Sequence, residues 1–273
     1  MQINNSKRYD RPIKIAEGIY WVGFYEERTN LHCNPYLIVQ DDKAVLIDSG
    51  SRPDFAVVMM KVLQTGLDPK QIIALIYHHY DPDLCGSMPN MIDICENPSL
   101  KVLSEQNNNI FINYYIEKER HHLLESIDVL GNQFIFNGRK LQFLKTPYSH
   151  CPGSFVTYDI KTKTLFSSDL FGSFSTKWDL FTKLDNECMI CVDYNNCINR
   201  KIYCPLPDII DFHRQIMPSE KSLHYAMNVI KNLDINIIAP QHGSIFVNKR
   251  DIYFIIEKLG SIDKIGIDSI PFL

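Results

Sequence analysis

The chain lacks the features that would send it to a membrane, a secretory route or a nucleic acid. No run approaches the ~18 consecutive apolar residues of a bilayer-spanning helix, so no membrane partner is expected. The N-terminus, Met1-Gln2-Ile3-Asn4-Asn5-Ser6-Lys7-Arg8, has no apolar segment of the signal-peptide kind, and a cytoplasmic location is expected. Excess positive charge is missing too. With 28 basic and 32 acidic side chains the formal net charge is -4, whereas affinity for nucleic acid rests on clustered Lys and Arg; none is expected as partner. There is no internal repeat and no low-complexity tract, since Gln106-Asn107-Asn108-Asn109 is too short to form one.

What remains is an ordinary globular composition. The 273 residues are 45% hydrophobic and 22% charged, enough to bury a substantial core. A single domain over 1–273 is expected. Eight cysteines in a chain of this kind read as reduced thiols or metal ligands rather than disulfides.

From Gly18 to Gly50 the text is strand-like, with a hairpin turn at Asp41-Asp42. Ser51 to Gly66 carries Phe55, Val58, Met59, Val62 and Leu63 at helical spacing and stops at a glycine. Asn137-Gly138 and Lys161-Thr162-Lys163 mark two further hairpins. Helices are expected again over Ser219–Leu233 and Arg250–Leu259. Between Gly172 and Pro207 regularity fails, and 172–207 is expected to be a cysteine-containing insertion. Strands and helices in this order indicate a layered α/β protein.

The most informative stretch is Tyr77-His78-His79-Tyr80-Asp81-Pro82-Asp83, which ends the apolar run Ile72-Ile73-Ala74-Leu75-Ile76. A buried strand has no use for two imidazoles and two carboxylates, because unpaired buried carboxylates are strongly disfavoured and neighbouring ones repel unless a cation lies between them. Three other apolar runs end similarly: His150 follows Leu141–Pro147, Asp169 follows Thr164–Ser168, and His242 follows Ile237–Gln241. The candidate ligands are therefore His79, Asp81, Asp83, His150, Asp169 and His242. Six donors exceed the needs of one tetrahedral zinc. They suit two metals about 3.5–4 Å apart with a bridging carboxylate, and this oxygen-rich set favours iron or manganese over thiolate-seeking ions. Asp48, at the end of Ala44-Val45-Leu46-Ile47 and before Ser49-Gly50, is either a turn residue or a carboxylate standing behind the ligands.

These residues carry a resemblance. Asp48-Ser49-Gly50, His79-x-Asp81-x-Asp83, Thr146–Ser154 around His150, Leu165–Gly172 around Asp169, and His242-Gly243 resemble the metallo-β-lactamase superfamily, and within it the diiron domain of flavodiiron proteins. The wording His-x-Asp-Pro-Asp is similar to stand-alone oxygen-binding diiron proteins of anaerobic bacteria. The resemblance implies a four-layer αββα sandwich, two iron ions, and a place for Asp48 behind the ligands. It implies one metal on His79, Asp81, His150 and Asp169, and a second on Asp83, Asp169 and His242. Two departures stand out: Asp81 replaces the family's Glu, and Leu84 replaces a His. No flavodoxin-like segment is present in the 273 residues, so no FMN is expected. O2 is the implied ligand, for sensing or for reduction. Two ferrous ions carry only two of the four electrons that take O2 to water, so turnover would draw on an external donor. The other partners implied are a signalling protein and a second copy of the chain. The alternative is a dinuclear zinc hydrolase of lactones or thioesters, whose His-x-His-x-Asp-His wording has two imidazoles that this chain lacks. Separately, Cys188-x-x-Cys191 with Cys197 and Cys204 has the spacing of a zinc or iron site, against the plainer reading of a cysteine-rich loop.

Overall fold

Alternation along the strands decides the architecture. The computed structural model describes residues 9–24, 32–174, 178–191 and 204–271. Its first half forms a sheet in sequence order from β1 (Ile13–Ala16), β2 (Ile19–Trp21), β3 (Tyr36–Gln40), β4 (Lys43–Ile47), β5 (Ile72–Ile76), β6 (Lys101–Ser104) and β7 (Leu124–Ser126). Strands β1 to β4 run antiparallel, with the hairpin turn at Asp41-Asp42, and β4 to β7 run parallel. The second half supplies β8 (Gln133–Phe136), β9 (Arg139–Lys145), β10 (Phe155–Asp159), β11 (Thr164–Phe166), β12 (Phe181–Thr182), β13 (Ile237–Ala239) and β14 (Ile245–Phe246). They form a second sheet in the order β12-β14-β13-β11-β10-β9-β8. The helices are α1 (Phe55–Gln64), α2 (Pro82–Cys85), α3 (Met88–Cys95), α4 (Gln106–Ile112), α5 (Pro205–Ile216), α6 (Glu220–Ile230) and α7 (Lys249–Leu259).

Successive strand residues point to opposite faces, and here both faces are apolar. Tyr36, Ile38, Val45, Ile47, Ala74 and Ile76 meet Leu141, Phe143, Phe155 and Phe166 between the sheets. Their neighbours Leu37, Ala44, Leu46 and Leu75 turn outward onto Val58 and Val62 of α1 and Met91 of α3. On the far side, Val156, Leu165 and Ile238 cover Ile209 of α5, Leu223 of α6 and Ile255 of α7. The layers are thus helix, sheet, sheet, helix: the expected αββα sandwich. Each fully buried Leu, Ile or Phe contributes roughly 1.5–3 kcal/mol of hydrophobic stabilisation.

One buried ion pair joins the layers. The Arg139 guanidinium donates to Asp159 Oδ1 at 2.9 Å and Oδ2 at 2.8 Å, and its Nη1 donates to Glu17 O in the β1–β2 turn and to Val39 O in β3, each at 3.2 Å. Both side chains are fully buried.

Local signals set the helix ends. Ser219 caps α6, its Oγ accepting from Ser222 N at 3.3 Å. The expected Ser51–Gly66 helix opens instead as a 3-10 turn over Arg52–Asp54, where Pro53 has no N–H to give, before α1 begins. The stretch 172–207 is not uniformly irregular: β12 pairs in parallel with β14, a 3-10 turn covers Asn186–Ile190, and α5 starts at Pro205. Among the described residues no helix is long and apolar enough to cross a membrane.

Candidate metal centre

All six predicted donors lie just beyond the carboxyl ends of strands, and the two sheets share them. The first sheet delivers His79, Asp81 and Asp83 where β5 runs out. Asp81 precedes Pro82 at the start of α2 in an extended conformation, and its side chain makes no capping hydrogen bond. It therefore stays free to face the cavity. The second sheet delivers His150 after β9, Asp169 after β11 and His242 after β13.

Asp169 is the centre of the arrangement, and its two oxygens look in different directions. Oδ2 lies 3.0 Å from His150 Nε2 and 3.9 Å from His79 Nε2. Asp81 Oδ2 joins that side, 3.4 Å from His150 Nε2 and 3.8 Å from His79 Nε2. Oδ1 looks the other way, 3.7 Å from His242 Nε2, which is also 3.2 Å from Asp83 Oδ2. The six side chains open onto a cavity of about 260 Å³ whose apolar wall is Phe174, Phe212 and Ile216.

The donor set fits metal ions. Asp169 Oδ1 is buried and has no hydrogen-bond partner, an expensive state for a carboxylate oxygen unless a cation completes it. Each imidazole has its Nδ1 engaged and its Nε2 aimed inward. His242 Nδ1 donates to His32 O at 3.1 Å, His79 Nδ1 lies 3.1 Å from Ser168 Oγ, and His150 Nδ1 lies 3.3 Å from Cys151 Sγ. Metal-ligating histidines are oriented in this way. Without a cation, protons take its place. Burial opposes charge on His150, yet hydrogen bonds to Asp169 and Asp81 hold its pKa far above the usual imidazole range. Burial likewise works against His242, and Asp83 and Cys33 raise it well above that range. Burial pulls Asp169 upward, but His79 and His150 outweigh it and keep the carboxyl far below its ordinary value.

A supporting layer fixes these loops. Asp48 touches none of the six donors. Its Oδ2 lies 2.9 Å from His78 Nδ1 and its Oδ1 accepts from His78 N at 3.3 Å, while His78 Nε2 sits 2.9 Å from Thr157 Oγ1 across the sandwich. Asp48 thus holds the residue next to His79. Asn108 Nδ2 donates to His78 O at 3.1 Å and Gly153 O at 2.8 Å, tying the His79 and His150 loops together. Gln241 Nε2 donates to Asp83 Oδ2 at 2.9 Å. His213 of α5 donates from Nδ1 to Ile209 O at 2.6 Å, and its Nε2 accepts from Phe171 N at 2.9 Å, fixing the turn after Asp169. That acceptor role requires a neutral ring, and burial lowers its pKa to about 4.

Sequence reasoning missed Cys33, Gln241 and His213. Cys33 Sγ lies 4.0 Å from Asp83 Oδ2, and Cys33, Asp83 and His242 form one group of donor atoms within 4.8 Å of one another. As a single cysteine ahead of a strand it gives no spacing signal. The four-cysteine cluster is not assembled among the described residues: Cys188, Cys191 and Cys204 form no three-donor group there, and Cys197 lies outside them. His121 and His122 sit on a 3-10 turn, each facing a backbone carbonyl.

Comparison with known proteins bears out the architecture. An uncharacterised protein of Methanocaldococcus jannaschii is 30% identical over 256 residues, covering 90% of this chain and 59% of its own length. A nitric oxide reductase of Moorella thermoacetica is 28% identical over 257 residues, covering 86% of this chain and 58% of its own. The chain therefore spans under two thirds of the length of these relatives. Among solved structures, the chemotaxis sensor ODP, in its peroxy diiron species, superposes with a TM-score of 0.71 at 20% identity, over 94% of this chain and 96% of that one. A family model described as ODP family beta lactamase matches residues 31–243, a span that begins just before β3, ends just beyond His242 and takes in all six donors; the chain belongs to that family.

Proposed function

We propose that this protein is a non-haem diiron protein that binds O2, serving as an oxygen sensor or as a flavin-free O2 reductase fed by an external electron donor. The observation that carries the reading is Asp169, whose two oxygens face two different donor groups while Oδ1 stays buried and unpartnered. That arrangement supports reading Asp169 as a carboxylate shared between two cations. His79, Asp81, His150 and Asp169 would hold one ion; Asp83, His242 and Asp169 would hold the other. A ferrous pair, when bound, supplies the electron density that makes O2 a ligand.

The chain's own residues do the rest. Phe174, Phe212 and Ile216 present an apolar wall suited to an uncharged diatomic molecule. The names borne by two similar proteins, a nitric oxide reductase and a chemotaxis sensor with a peroxy diiron species, support a diatomic oxygen species as the ligand class. A core shared by both sheets supports treating 1–273 as one domain.

The test is anaerobic purification, metal analysis, and optical spectra before and after O2. About two irons per chain and a new charge-transfer band on oxygenation are expected. Reversal of the band on removing O2 identifies a sensor; repeated O2 consumption with an added donor identifies a reductase. Two zincs with no spectral response to O2 would refute the proposal and direct attention to ester and thioester substrates.

A further inference from the structure

The two halves of the centre are unequally furnished. The half around His150 has four protein donors: His79, Asp81, His150 and Asp169 Oδ2. The half around His242 has three: Asp83, His242 and Asp169 Oδ1. Cys33 stands where the fourth is wanting. Its Sγ lies within 4.8 Å of both the Asp83 and the His242 donor atoms, 4.0 Å from Asp83 Oδ2, and the side chain is buried.

We infer that Cys33 binds as a thiolate to the metal in the His242 half, making that half a Cys-Asp-His site with Asp169 as its shared fourth donor. The inference rests on the binuclear reading above and adds a soft ligand to one side of it. Three observations carry it. First, the surroundings are polar. A buried free cysteine usually packs as a small apolar residue, as Cys95 does among Met88, Met91 and Ile92, whereas Cys33 faces a carboxylate and an imidazole.

Second, the backbone is built to hold Cys33 there. Asn34 N donates to Gln241 O at 2.8 Å, and Asn34 Nδ2 donates to Pro240 O at 3.0 Å and Gly243 O at 2.9 Å. On the other side of Cys33, His32 O accepts from His242 Nδ1 at 3.1 Å. The chain on both sides of Cys33 is thus fastened to the loop that carries His242. Third, Trp21 Nε1 donates to Asn34 Oδ1 at 2.8 Å and completes the Asn34 amide, so the contact is part of the folded core.

The step is a simple exchange without oxidation. The S–H bond breaks heterolytically, its proton leaves to solvent, and a sulfur lone pair forms the bond to the metal. A thiolate makes the His242 half the softer of the two, selecting zinc or ferrous iron against magnesium and calcium.

The test loads the metal-free full chain with cadmium under anaerobic conditions and reads it by cadmium NMR, where sulfur ligation moves a resonance strongly downfield. Two resonances are expected from the centre, one of them downfield. Cys33→Ser should return that resonance to the nitrogen–oxygen range, leave the other in place, and weaken cadmium binding in that half at least about tenfold. Cys33→Ala carries the same expectation should the serine variant fail to fold. Cys191→Ser should leave both resonances unchanged. Two resonances in the nitrogen–oxygen range, or a downfield resonance that survives Cys33→Ser, overturns the inference while the binuclear reading stands. A single cadmium ion in the centre overturns both.

Discussion

Exchanging His213 for glutamine tests whether the turn after Asp169 depends on a neutral, buried imidazole. The ring is fully buried between Ile209 O and Phe171 N, and burial lowers its pKa from 6.5 to about 4. The folded state therefore resists a proton that the unfolded chain accepts at pH 6.5. Stability is higher wherever the unfolded chain carries the extra proton less often. The contribution is complete above pH 6.5 and drains away as pH falls toward about 4. The whole displacement corresponds to roughly 3 kcal/mol, and roughly 2 kcal/mol of it is gone at about pH 5. Glutamine can donate and accept but cannot titrate, so His213→Gln removes the pH-dependent part. The assay is urea unfolding of the reduced, metal-free protein at about pH 7.5 and about pH 5, with the denaturant slope checked for constancy. Wild type should lose roughly 2 kcal/mol more than the variant over that interval. Parallel losses in the two proteins would refute the reasoning.

Asp169→Asn keeps the shape but replaces one carboxylate oxygen with a donor, so metal analysis should show loss of at least one of the two ions, with the fold intact by circular dichroism. Arg139→Ala strands the fully buried Asp159 carboxylate and should cost about 3–5 kcal/mol in denaturant unfolding; replacing both partners with leucine should recover most of that. Gly243 has a φ of +79°, and a Cβ there would lie 2.5 Å from Ser173 Oγ. Gly243→Ala should therefore cost at least ~1–2 kcal/mol, lower the melting temperature, and weaken metal uptake through its neighbour His242.

The strand ends were legible because a buried run that stops at His or Asp leaves an ionisable group at the edge of the core, a costly position unless a cation or a partner meets it. Hairpins at Asp41-Asp42 and Asn137-Gly138, and the helices after Ser219 and Asn248, follow from turn and capping chemistry that acts over a few residues. The grouping of donors into two halves was not readable from spacing, since it depends on which way each Asp169 oxygen faces. Cys33 was invisible for a related reason. It meets Asp83 and His242 only because Asn34 anchors its segment to a loop more than two hundred residues away. α5 was missed because Pro205 and Pro207 interrupt its first turn, although proline is tolerated there. Its His213 then appears as an unremarkable polar residue until the turn at Phe171 is seen to lean on it.

The sharing of ligands between the two sheets has a mechanical consequence. A metal held jointly by Asp83 and His242 would close a ring through more than half the chain, and a non-covalent staple of that span would restrict the unfolded ensemble much as a disulfide does. Chelation should then lower the melting temperature, and hydrogen exchange should quicken first at the carboxyl ends of β5, β11 and β13 rather than at the clamped Arg139 corner. The same coupling would work in reverse: with metal bound as proposed, any ligand that alters the metal bonds would pull on both sheets at once and turn an event inside the cavity into strain across the seam of the sandwich.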